Sequence, residues 1–107
     1  MVEMYRQGDL LFIRADEVPK GARRRRSNVI LEGEATGHSH RVENGGFLYE
    51  IPRWSWEQNE DGLFLDVVEP ESNIIHEEHG TITLPKGVFQ VVRQREFGKA
   101  ENRYVMD

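Results

Sequence analysis

Asp9-Leu10-Leu11-Phe12-Ile13-Arg14-Ala15 is the stretch on which the fold turns. Its centre, Leu10-Leu11-Phe12-Ile13, is apolar at every position, and an extended chain turns successive side chains to opposite faces. A strand with apolar groups on both faces belongs inside a sheet, covered above and below. Outward from it, short apolar runs recur between turn residues, and ten glycines punctuate the chain. Strands are predicted over residues 9–15, 28–32, 38–43, 47–51, 63–68, 73–76, 81–84 and 88–96, because β-branched and aromatic residues concentrate there. No window of about 11 residues or more carries an apolar stripe of helical period. The best helical candidate is the tail at 99–105.

Turn chemistry supports this spacing. Asn44-Gly45-Gly46 and Glu60-Asp61-Gly62 read as hairpin turns, since glycine and asparagine tolerate positive φ. Pro85-Lys86-Gly87 reads as a turn before the last strand. The expectation is one all-β domain over residues 1–107, a small barrel or sandwich of about seven to eight short strands.

Composition narrows the function classes. A chain of 107 residues suits one core. It has no apolar run long enough to cross a bilayer, and its N-terminus lacks the layout of a signal peptide. The expectation is a soluble, cytoplasmic protein with no membrane partner. Cysteine is absent, which removes disulfides, thiolate nucleophiles and cysteine-based zinc fingers. A metal site must then use histidine, carboxylate or amide oxygen. The net charge of −5 argues against general nucleic-acid binding. It leaves room for a local basic patch such as Arg23-Arg24-Arg25-Arg26.

All four histidines fall in two windows, Gly37-His38-Ser39-His40 and His76-Glu77-Glu78-His79. In a strand, His38 and His40 point to one face and present two imidazoles side by side. Converging neutral imidazoles suit zinc, iron, nickel or copper. His76 and His79 can join only if the chain bends there, and Gly80 permits a bend. Paired histidines also occur on surfaces without function. As function, the four are candidate metal ligands, and Glu77 or Glu78 can add an oxygen donor. The alternative is metal-free catalysis, in which His38 or His40 with His76 or His79 act as acid and base. Arg41, Arg93 and Arg95 would then clamp a phosphodiester, and RNA or a nucleotide would be the substrate.

Several segments carry a resemblance. Tyr5-Arg6-Gln7-Gly8-Asp9, Gly33-Glu34-Ala35-Thr36-Gly37-His38-Ser39-His40-Arg41, His76-Glu77-Glu78-His79, Leu84-Pro85-Lys86-Gly87-Val88-Phe89 and Arg93-Gln94-Arg95-Glu96-Phe97 resemble a family of small bacterial and phage proteins. That likeness runs over nearly the whole chain and implies no activity. A weaker one is to cupins, β-barrels that hold a metal on a His-x-His pair, a glutamate and a later histidine. Gly33, His38, His40 and Glu43 are similar to the first cupin motif, and Gly80, Pro85 and Gly87 to the second. Gln90 stands where the later histidine would be.

Two further features have both a plain and a functional reading. The arginine run is a solvated loop, as charge runs usually are, or a grip on phosphate or RNA backbone. Trp54 and Trp56 pack on the core, or stack bases, or cover a partner subunit in a homo-oligomer. A third class therefore stays open beside metal site and enzyme: a non-catalytic binding or assembly module for a small molecule or RNA.

Overall fold

The computed structural model describes residues 2–33, 37–56 and 62–94, which form eight strands and no helix. They are β1 (Met4–Gln7), β2 (Leu10–Ala15), β3 (Arg23–Arg24), β4 (Val29–Glu32), β5 (Ser39–Val42), β6 (Gly46–Glu50), β7 (Leu63–Ile75) and β8 (Ile82–Arg93). All pair antiparallel in one sheet, along the path β1-β2-β8-β7-β5-β4, and β6 joins β7 to β3. Among the described residues the path ends at β1 and β4, so no barrel closes. The all-β sandwich expectation holds. No described helix is long and apolar enough to cross a membrane.

The long β7–β8 ribbon makes the sandwich. Its first half, residues 63–67 of β7, lies between β8 and β6, while Ile74 and Ile75 near its end pair with β5. Between the halves the register slips: Val67 faces Gly87 and Glu71 faces Pro85, so Val68, Glu69 and Pro70 stand against Lys86 alone. A bulge of this kind bends a ribbon, and neither Pro70 nor Pro85 has an N–H to lose from the ladder. One layer is then β1-β2-β8-β7-β6-β3 and the other β8-β7-β5-β4.

Between them lies a single apolar cluster that includes Leu10, Phe12, Ile30, Leu48, Leu65, Ile74, Leu84 and Phe89. Leu10, Leu11 and Phe12 are all buried, with β2 lying between β1 and β8, as the double-faced apolar run requires. Trp54 and Trp56 pack against the cluster edge to face, 4.7 Å between ring centroids, and Trp54 lies over Gly62. That is their plainer role.

Four expectations are corrected. The strands predicted at 63–68 and 73–76 are parts of one strand, 63–75, and those predicted at 81–84 and 88–96 share one described as 82–93, because the bulge bends the ribbon without ending it. Pro85-Lys86-Gly87 is therefore no turn, and Gly87, at φ +140°, pairs with Val67 at the edge of the bulge. Asn44-Gly45-Gly46 is no hairpin either: β5 and β6 both run along the same edge of β7, and the chain between them spans the bulge. Here Asn44 Oδ1 accepts the Asn73 N–H at 3.0 Å, and Gly45 O accepts that of Val68 at 2.9 Å. Lastly, Arg23 and Arg24 are solvated as expected but form a short strand on Glu50 and Tyr49 rather than a loop. The candidate helix at 99–105, the end of the last predicted strand, and Glu60 and Asp61 of the second turn lie outside the described residues.

Candidate functional site

Gln7 and Leu10 are paired ends of the β1–β2 hairpin, and only Gly8 and Asp9 join them. A two-residue loop with glycine first, here at φ +60°, matches the right-handed strand twist. This turn is the floor of a cluster that contains all four imidazoles. A Cβ on Gly8 would meet His79 Nε2 at 2.6 Å and His40 Cε1 at 3.2 Å, so the two rings use space only glycine leaves.

Strand alternation turns His40 inward, 3% exposed, and Ser39 and Arg41 outward. The β5–β7 register pairs Arg41 with Ile75, which brings His40 beside the residue after β7, His76. Their ring centroids are 4.4 Å apart. His76 also lies 4.6 Å from His79 and 5.9 Å from His38, while His40 and His79 stack at 5.8 Å. The expected bend is real: the N–H groups of Glu78 and His79 fold back onto His76 Nδ1, at 3.0 and 3.3 Å. Glu77 ties this loop to β5, accepting the Ser39 N–H at 2.8 Å and an Arg41 N–H at 2.6 Å. These donors hold its carboxyl well below the usual range, at about 2.

Hydrogen bonding assigns the protons. The Gln7 side chain, 2% exposed, donates to the carbonyls of Ile74 (2.7 Å) and Gly80 (2.9 Å), so its amide nitrogen is identified. Its oxygen then faces His40 Nδ1 at 2.8 Å and must accept from it. Neutral His40 thus carries its proton on Nδ1 and leaves Nε2 bare. That bare nitrogen stands 3.4 Å from Asp9 Oδ1. Asp9 also pairs with Arg93 at 3.2 Å, and its carboxyl is lowered to about 2, first by His40, then by Arg93 against the opposing effect of burial. A protonated His40 forms an ion pair there, while a neutral ring sets a lone pair against the carboxylate, which is repulsive unless a cation lies between them. His76 is the opposite case: its Nδ1 accepts two N–H groups, so its neutral ring carries the proton on Nε2. Burial, then the charges of His40 and His79, lower its pKa.

The other candidates are placed as follows. His38 Nδ1 lies 3.6 Å from Glu78 Oε2. Glu43 lies three residues beyond His40 with its carboxylate on the Asn73 amide, at 3.3 Å, so the structure does not gather it with the imidazoles. Arg41 and Arg93 border the cluster, each in an ion pair. Arg95 lies outside the described residues. Among the described residues no three His, Asp or Glu side chains already surround one point as ligands would; the imidazoles meet ring to ring. Sequence reasoning missed Gln7, Gly8 and Asp9 as site residues. A Gly-Asp pair just before the central strand was a turn signal that could have found the floor.

A family model described as a domain of unknown function, DUF8820, matches residues 6–94, a span that holds every residue of the cluster. No curated protein and no solved structure matches the chain.

Proposed function

This chain belongs to the DUF8820 family, whose description names no activity, and we propose from its own residues that the cluster binds a transition-metal ion. The observation that carries the reading is the facing pair of His40 Nε2 and Asp9 Oδ1, 3.4 Å apart. A tetrahedral ion with bonds of about 2.0–2.1 Å spaces two ligand atoms by about 3.3–3.4 Å. Gln7 supplies what such a site needs behind its first ligand, an acceptor on the far nitrogen that fixes the tautomer. His79, with Nε2 over Gly8, and His38 complete the donor set by turning their rings. Imidazole and carboxylate without thiolate suit zinc, iron, nickel or copper. His76 stands beside the ion as a hydrogen-bond donor, because its Nδ1 is occupied by backbone and its Nε2 bears the proton.

One observation favours a second reading. A bare Nε2 on His40 beside a proton-bearing Nε2 on His76 is a base next to an acid, with the rings 4.4 Å apart. In that reading the site cleaves a phosphodiester such as RNA without metal, and Arg41 and Arg93 turn from their carboxylate partners to the phosphate.

The experiment is elemental analysis of protein purified without a histidine tag, followed by chelation. Metal binding gives close to one ion per chain and a melting temperature that drops with chelator. His40→Ala abolishes both, while His76→Ala retains the metal. A metal-free protein with chelator-resistant activity on RNA and a bell-shaped pH profile supports the second reading. A metal-free protein with no such activity sinks both and leaves a binding module.

A further inference from the structure

The arginine run and the groove beside it lie outside the histidine site, and we infer that they form a separate site for single-stranded nucleic acid. The inference starts from strand alternation. Arg23 and Arg24 pair with Glu50 and Tyr49, and the Arg25 N–H continues the ladder to Leu48 O at 2.7 Å. Arg25 shares the side of buried Leu48, where its guanidinium meets Glu50 at 3.2 Å and the Val29 carbonyl at 3.1 Å. It is spent on structure. Arg24, across from Tyr49, takes the other side and stays exposed, as does Arg26 at the bend two residues on.

The Arg24 guanidinium carbon lies 3.7 Å from the centroid of the Phe47 ring. A guanidinium backed by an aromatic face is a platform on which an unstacked base can lie. Arg24, Arg26 and Phe47 border one groove of about 340 Å³, with Val68, 43% exposed, at its wall. In the groove's lining, Asn28 Nδ2 donates to the Val42 carbonyl and the Val42 N–H donates to the Asn28 backbone carbonyl, both at 2.9 Å. Glu43 and Glu69 also line the groove, and carboxylates accept hydrogen bonds from the amino groups of bases. Arg26 is positioned for a backbone phosphate next to the stacked base.

This chemistry selects single strands. A base must leave its stack to reach Arg24, and a net charge of −5 opposes the dense phosphate array of a duplex. The inference stands on the groove alone, so a metal-free protein does not touch it.

The test is fluorescence anisotropy on the full chain, with labelled oligocytidine, oligouridine and a mixed-sequence duplex as probes. The parent should bind the single strands and prefer them to the duplex. Arg26→Ala should make the dependence of log affinity on log salt shallower by about 0.7, the value of one single-strand phosphate contact. Arg24→Lys keeps the charge and removes the plane, so affinity should fall roughly fivefold or more with the salt slope kept. Circular dichroism matching the parent's establishes that the variants are folded. A parent that binds no single strand, equal affinity for duplex, or parent-like binding by both arginine variants would overturn the proposal.

Discussion

Replacing Gln7 with leucine tests the heart of the site, because one buried amide decides where the His40 proton sits. Three hydrogen bonds end on that side chain: to the Ile74 carbonyl at 2.7 Å, to the Gly80 carbonyl at 2.9 Å and from His40 Nδ1 at 2.8 Å. A buried neutral hydrogen bond contributes about 1 kcal/mol net, and each partner left dry and unpaired costs about 1–3 kcal/mol. Leucine is of similar size and offsets part of this by burying apolar surface, about 1–2 kcal/mol. The balance is a loss of about 3 kcal/mol. For a domain of this size that lowers the melting temperature by roughly 12–24 °C. Urea denaturation of metal-free protein at neutral pH measures it, and imidazole ¹⁵N shifts report the tautomer of His40. In the metal reading the same variant should lose about 10–100-fold in affinity, the usual cost of removing a ligand's outer partner. A change below about 0.5 kcal/mol, with His40 still protonated on Nδ1, would refute the reasoning.

Gly8→Ala should destabilise the domain by about 1–3 kcal/mol, because φ of +60° strains any L-residue and the new methyl displaces His79. Urea unfolding and metal titration should both register it, and a variant equal to the parent in both contradicts the packed floor. Glu77→Gln should flatten the acid side of the pH–stability curve of metal-free protein. The folded carboxyl, at about 2, is depressed from 4.5, so its contribution is present above about pH 4.5 and lost as pH falls toward 2. Thermal melts across that window should converge for parent and variant, and parallel curves would dismiss the clamp.

Periodicity made the strand class legible, since alternation and glycine spacing are local properties of the chain. The central place of β2 followed from four apolar residues in a row, and the grouping of the histidines into two windows was plain in the letters. What lay beyond the sequence was every relation between distant segments. The proline-bearing turn at Pro85 and the gap around Pro70 proved to be the interior of long strands, because a bulge absorbs residues that cannot donate to a ladder. The Asn44-Gly45 connection looked like a hairpin, yet it only carries the chain past that bulge along the same neighbour.

The sequence alone determined which side chains were available for chemistry: imidazoles, carboxylates and arginines, with no thiol. Tertiary structure decided which of them meet. The bend at the β7–β8 bulge and the β1–β2 hairpin, whose Gln7 side chain reaches the Ile74 carbonyl, place Gln7 and Asp9 against His40, more than thirty residues away in the chain. Proton positions in the site depend on a carbonyl of β7, another at Gly80 and an amide of β1. No local pattern encodes that agreement, because hydrogen bonds between distant strands exist only once the register between them is set.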